Sequence, residues 1–153
     1  MDLYLVQHGE AKPETADPAR PLTDRGRHEV ARVASAAARA GVRVTRIGHS
    51  GKLRARETAD ILAAELRPPG GASEVAGLAP LDDPAVAARL VAAATEPMML
   101  VGHLPHLSRL ASLLILSDPA REIVAFRTGG IVCLGRTEDG WRVKWILTPE
   151  LVP

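Results

Sequence analysis

Three histidines in this chain of 153 residues each close a short apolar run: His8 after "LYLVQ", His49 after "VTRIG" and His103 after "MMLVG". A neutral imidazole at a strand end can attack an electrophile or carry a proton near neutral pH. Two arginines lie close to these histidines in sequence, Arg20 in "ARPLTDRG" and Arg54 in "HSGKLRARET". Arg54 falls in the first turn of a helix pattern, where unpaired backbone N–H groups and a planar guanidinium fork suit the oxygens of a phosphoryl group. Histidine, arginine and helix starts together predict phosphoryl transfer. An imidazole nitrogen attacks phosphorus, and fixed positive groups hold the transferring oxygens.

Such residues converge only if the intervening elements bring them together. Each histidine-ended run precedes a helical pattern. The first helix runs from an N-cap at Thr23 through "GRHEVARVASAAARA" to a stop at Gly41; the second begins near Ser50 and covers "KLRARETADILAAEL"; the third starts at Pro105 and covers "HLSRLASLLIL". A further helix, "PAVAARLVAAAT", precedes the run ending in His103. Alternating strands and helices predict a mostly parallel α/β sheet with helices on both faces, a three-layer sandwich. The tail "EIVAFRTGGIVCLGRTEDGWRVKWIL" alternates apolar and polar residues around glycine turns, which predicts two or three antiparallel strands at the sheet edge, where Trp141 and Trp145 are expected to pack a face rather than bind a base. Gly9 is expected to allow a sharp bend after His8. Strand carboxyl ends are where open α/β sheets bind ligands, so His8, His49 and His103 can share one pocket.

Composition narrows the function classes. Lys+Arg number 19 against 18 Asp+Glu, and aromatic residues make up 3%, so neither a basic footprint nor a stacking platform for nucleic acid is present. The most apolar helical segment, "LSRLASLLIL", is too short for a bilayer and contains Arg109, and no secretory leader is visible. The sole cysteine, Cys133, lies in an apolar run and reads as a buried inert thiol. A cytoplasmic protein of one domain, residues 1–153, is expected, with no membrane or nucleic-acid partner.

Four stretches in order carry a resemblance: "QHGEA", "RPLT" followed by Gly26, "HSGKLRARET" and "VGHLP". Together they resemble the Arg-His-Gly, second-arginine, Ser-x-x-x-Arg-Ala-x-x-Thr and second-histidine motifs of the histidine phosphatase superfamily. These are the phosphoglycerate mutase-like proteins, and the short length is similar to the SixA-type phosphohistidine phosphatases. The resemblance implies a phosphoglycerate mutase-like fold, His8 as nucleophile, and a phosphoryl site of Gln7, Arg20, Arg54 and His103, with His103 stabilising the group opposite His8. It further implies no metal or other cofactor, and a substrate that is a phosphohistidine-bearing protein or a small phosphorylated molecule. His49 matches no motif position and is read as structural or at the rim; His28 and His106 are read as helix residues without a role.

The chain departs from the family pattern at two points. Gln7 stands where the motif has arginine, removing one formal charge. The expectation is a weaker oxyanion site and a His8 whose pKa is depressed less, so that the low-pH limb of activity moves upward. The leaving-group acid of the mutase-type relatives has no clear counterpart, only Asp82 and Asp83 in "PLDDP". Its lack favours a phosphoramidate, whose imidazole leaves more readily than an alkoxide. Two other readings are a phosphate-binding regulatory pseudoenzyme weakened by Gln7, and a zinc hydrolase using His8, His49 and His103 as ligands.

Overall fold

The computed structural model describes residues 1–153. Its strands are β1 (Asp2–Gln7), β2 (Arg46–His49), β3 (Ala72–Glu74), β4 (Met98–Gly102), β5 (Ile131–Thr137) and β6 (Gly140–Leu147). Its helices are α1 (Asp24–Arg39), α2 (Leu53–Leu66), α3 (Pro84–Ala93) and α4 (His106–Leu116). Continuous apolar runs in β1 and β4 reflect burial on both faces. Tyr4, Val6, Met99 and Val101 enter a core shared with α1 and α2, whereas Leu3, Leu5, Met98 and Leu100 enter a second core under α3 and α4. No helix is long and apolar enough to cross a membrane.

The six strands lie in the order β3-β2-β4-β1-β5-β6, with β1, β2, β3 and β4 mutually parallel and β5 and β6 antiparallel. The chain steps outward from β1 through β2 to β3, then returns to insert β4 beside β1. Right-handed crossovers put the outward helices α1 and α2 on one face, and the return through α3 on the other. The helices that follow β1 and β4 therefore leave toward opposite faces, which opens a crevice between these neighbouring strands at their carboxyl ends. His8 and His103 stand there, each one residue beyond the paired Gln7 and Gly102.

The structure refines the sequence reading in several details. β3 was not foreseen; it is a three-residue edge strand with two exposed residues, too short for a pattern to show. The second helix begins at Leu53 rather than near Ser50, because Gly51 adopts φ +88°. The tail forms two strands, within the two or three expected, and residues 122–126 remain irregular: β5 already has β1 on one side and β6 on the other. Trp141 and Trp145 each pack a face, as expected, and the two faces are opposite. A register shift between Cys133 and Leu134 inserts Lys144 into the alternation, so Trp145 packs with Tyr4 in the first core and Trp141 on the second. Cys133 is fully buried, and burial pushes its thiol up to about 11.

Candidate active site

Local chemistry explains how each loop reaches the crevice. After β1, the backbone of Gly9 packs so tightly on α1 that a Cβ would come within 2.8 Å of Val30 Cγ2. Gly9 is thus needed for close approach, and its φ is not left-handed. Thr23 caps α1 by accepting from Gly26 N at 2.9 Å, and its hydroxyl donates to Glu10 Oε1 at 2.9 Å. Gly26 lies directly against the Glu10 carbonyl, leaving no room for a side chain. In α2, the Thr58 hydroxyl accepts from Gly9 N at 3.0 Å and donates to Arg54 O at 2.7 Å, joining the His8 turn to the helix that carries Arg54.

The His8 and His103 rings face each other with centroids 5.0 Å apart and planes tilted by 52°. His8 Nδ1 lies 2.7 Å from the Gly9 carbonyl, which can only accept, so Nδ1 carries the proton and Nε2 keeps a free lone pair. Burial holds the His8 pKa down to about 4, with Arg54 and Arg20 acting in the same direction and the bond to Gly9 opposing them. The lowering the sequence predicts from cationic neighbours is therefore mainly desolvation.

His103 is 2% exposed, and Ser50 Oγ lies 2.6 Å from its Nε2. Burial, then the His8, Arg54 and Lys52 charges, lower its pKa to about 3. Arg54 is half-buried on the first turn of α2 and belongs to no ion pair; its Nε is buried without a hydrogen-bond partner. Burial lowers its pKa, as does Arg20 nearby. Arg20 pairs with neither Asp17 nor Asp24; its Nε donates to Lys12 O at 3.0 Å. Gln7 Oε1 and His103 Nδ1 are likewise buried and unpartnered. Polar groups of this kind are rarely left unpaired in a finished core, and an arriving oxyanion can use the donors among them.

Other candidates fall elsewhere. His49 turns into its own loop, where Nδ1 accepts from Gly51 N at 3.1 Å, and no group of three His, Cys, Asp or Glu side chains is placed to hold a metal ion. The three-histidine zinc reading fails on this geometry. Asp83 caps α3 by accepting from Ala85 N, and Asp82 accepts from Ala79 N, so both proposed acids are engaged in closing backbone turns. His28 is exposed on α1, and His106 is fully buried at the start of α4. Two contacts escaped the sequence reading, those of Ser50 with His103 and Thr58 with Gly9. Both residues stand in the Ser-x-x-x-Arg-Ala-x-x-Thr spacing, which was the signal available.

Ring-proton NMR of the anion-free protein should find His8 and His103 neutral down to about pH 5. Both folded pKa values lie below the unfolded value of 6.5, so between about pH 6.5 and 3 the unfolded chain binds protons that the folded chain does not. Stability is therefore full above that window and falls as pH drops through it. A ring titrating near 6.5 would contradict this picture of the site.

Residues 3–76 match the family model of the histidine phosphatase superfamily, branch 1. The match spans just under half of the chain, the part that carries His8, Arg20 and Arg54, and the fold of the whole chain agrees with it. It is similar over 99% of both chains to the protein histidine phosphatase SixA complexed with tungstate, with 25% identity and a TM-score of 0.88. A SixA-type protein from Agrobacterium tumefaciens follows the same fold over 97% of both chains, with 24% identity and a TM-score of 0.78. So does the alpha-ribazole phosphatase from Shigella flexneri, over 97% of both chains, with 15% identity and a TM-score of 0.76. No curated protein matches the chain by sequence.

Proposed function

We propose that the chain is a metal-independent phosphatase that works through a phosphohistidine intermediate on His8, with phosphohistidine as its preferred substrate. The observation that carries this reading is the tautomer of His8: a neutral ring with its Nδ1 proton held by Gly9 O and its Nε2 lone pair free, facing His103 beside Arg54. Nε2 attacks phosphorus while the P–N bond of the substrate breaks, and the departing imidazole leaves neutral when its other nitrogen is protonated. Water then attacks the phosphorus on His8, the P–Nε2 bond breaks, and phosphate leaves with the protons of water, restoring the lone pair. Arg20, Arg54, His103 and the Gln7 amide hold the oxygens.

The substrate class follows from the carboxylates. Asp82 and Asp83 are tied to backbone amides, which suits a leaving group that needs no protein acid. The likeness to a protein histidine phosphatase, SixA, supports the same class. The phosphohistidine belongs to a protein partner, while small phosphorylated molecules are the alternative. A single buried thiol outside any disulfide fits a reducing compartment such as the cytoplasm. The test is turnover of a phosphohistidine protein against phosphoserine and a sugar phosphate, with chelator present. Preference for a phosphomonoester would overturn the substrate assignment, and binding without turnover of any of them would restore the pseudoenzyme.

Gln7→Arg measures the cost of the missing charge. A charged donor contributes about 1.5–3 kcal/mol against about 0.5–1.5 for a neutral one, so kcat/KM should rise about tenfold. The acid limb should move to lower pH, because an added guanidinium acts on His8 in the same direction as Arg54 and Arg20. A fall in kcat/KM in a folded variant would make glutamine a specific part of the site.

A further inference from the structure

Arg20 reaches the site on a loop, so its distance from Arg54 has to be fixed by contacts outside regular structure. Its backbone adopts φ +50°, a left-handed conformation that non-glycine residues hold only when their surroundings impose it. Two residues on, Leu22 is fully buried and pairs with Ala11 across the loop. The Leu22 N–H donates to Glu57 Oε1 at 2.9 Å, and the Leu22 carbonyl accepts from Arg27 Nη1 at 2.6 Å. Arg27 Nη2 donates in turn to Glu57 Oε2. The ring is closed: one carboxylate and one guanidinium satisfy both backbone groups of Leu22, as a neighbouring strand would. Glu57 stands one turn beyond Arg54 on α2 and next to Thr58, which holds Gly9. Two loops of the site are thus moored to the same stretch of helix.

We propose that Glu57 is a positioning residue: with Arg27 it clamps Leu22 to α2, fixes Arg20 relative to Arg54, and so sets the oxyanion affinity of the site. The proposal rests on the anion-binding reading given above. Both Glu57 oxygens are used by the clamp, so it acts through Arg20. The Glu57 and Arg27 side chains keep 23% and 42% of their exposure, and ion pairs this open contribute little to stability, so their removal leaves the fold standing.

Tungstate titration by calorimetry tests the idea in wild type, Glu57→Ala, Arg20→Ala and the double variant. Glu57→Ala should weaken binding about tenfold, the scale seen when the partner supporting a ligand side chain is removed. The double variant should bind no more weakly than Arg20→Ala alone, because two residues acting through one guanidinium do not add. Glu57→Gln, still able to accept from Leu22 N, should recover most of the loss. Should Glu57→Ala fail to fold, Arg27→Met opens the ring with the Glu57–Leu22 bond intact and enters the same cycle. Additive losses, or wild-type affinity in Glu57→Ala, would overturn the role of Glu57 alone. A wild type that binds no tungstate would overturn the anion site, and the clamp's function with it.

Discussion

His8→Ala is expected to lower turnover by on the order of 10³-fold or more while leaving tungstate binding largely in place. The two effects separate because His8 supplies the bond-forming atom, whereas Arg20 and Arg54 supply most of the charge that holds the anion. The side chain is half-buried, and its recorded side-chain bond is to the adjacent Gly9 carbonyl, so truncation should not unfold the chain. With a phosphohistidine protein labelled at phosphorus, wild type should show a transient, acid-labile and alkali-stable label on His8, and His8→Ala should show none. EDTA should change neither result, since the nucleophile is an imidazole and needs no metal-bound hydroxide. Loss of wild-type activity in EDTA, restored by zinc, would reject the mechanism; so would near-normal turnover in His8→Ala.

Why these residues meet was partly legible in the sequence. Apolar runs ending in histidine showed the strand ends, and caps such as Thr23 marked α1 closely: its first residue, Asp24, follows directly. The crevice itself depends on strand order. β4 follows β3 in sequence yet lies between β2 and β1, and local pattern carries no information about such a return. Side-chain contacts across that order were hidden for the same reason. Ser50 leaves β2 and reaches over to His103, which leaves β4, because these strands are neighbours only in space. That Trp141 and Trp145 pack opposite faces was hidden for a different reason. Period two assumes an unbroken ladder, and one additional residue in β6 reverses every face beyond it. At Gly9 and Gly26 the residue type was readable but its reason was not, since both are needed where one loop backbone crosses another element.

The same partial legibility holds for Arg54, whose motif position suggested a ligand but whose electrostatic state only the fold supplies. Its buried Nε has no partner and no carboxylate pairs with it, while burial and Arg20 work against its charge more than Glu14, which forms no ion pair with it, works for it. Holding an uncompensated cation there costs stability in the empty protein, and an oxyanion relieves that cost. Arg54→Ala should therefore move stability and function in opposite directions. Without anion its melting temperature should equal or exceed that of wild type. Tungstate at 100 times the wild-type Kd should stabilise wild type by about 2.7 kcal/mol but barely shift the variant. Turnover should fall by roughly 10²–10³-fold, as when a donor to the transferring oxygens is removed. Arg54→Lys keeps the charge but loses the planar fork, so it should recover only part of that loss. Thermal melts with and without tungstate, read beside single-turnover rates, measure all three. A variant less stable than wild type in the absence of anion, with the tungstate shift retained, would make Arg54 a structural residue and leave the phosphoryl group to be held by other groups.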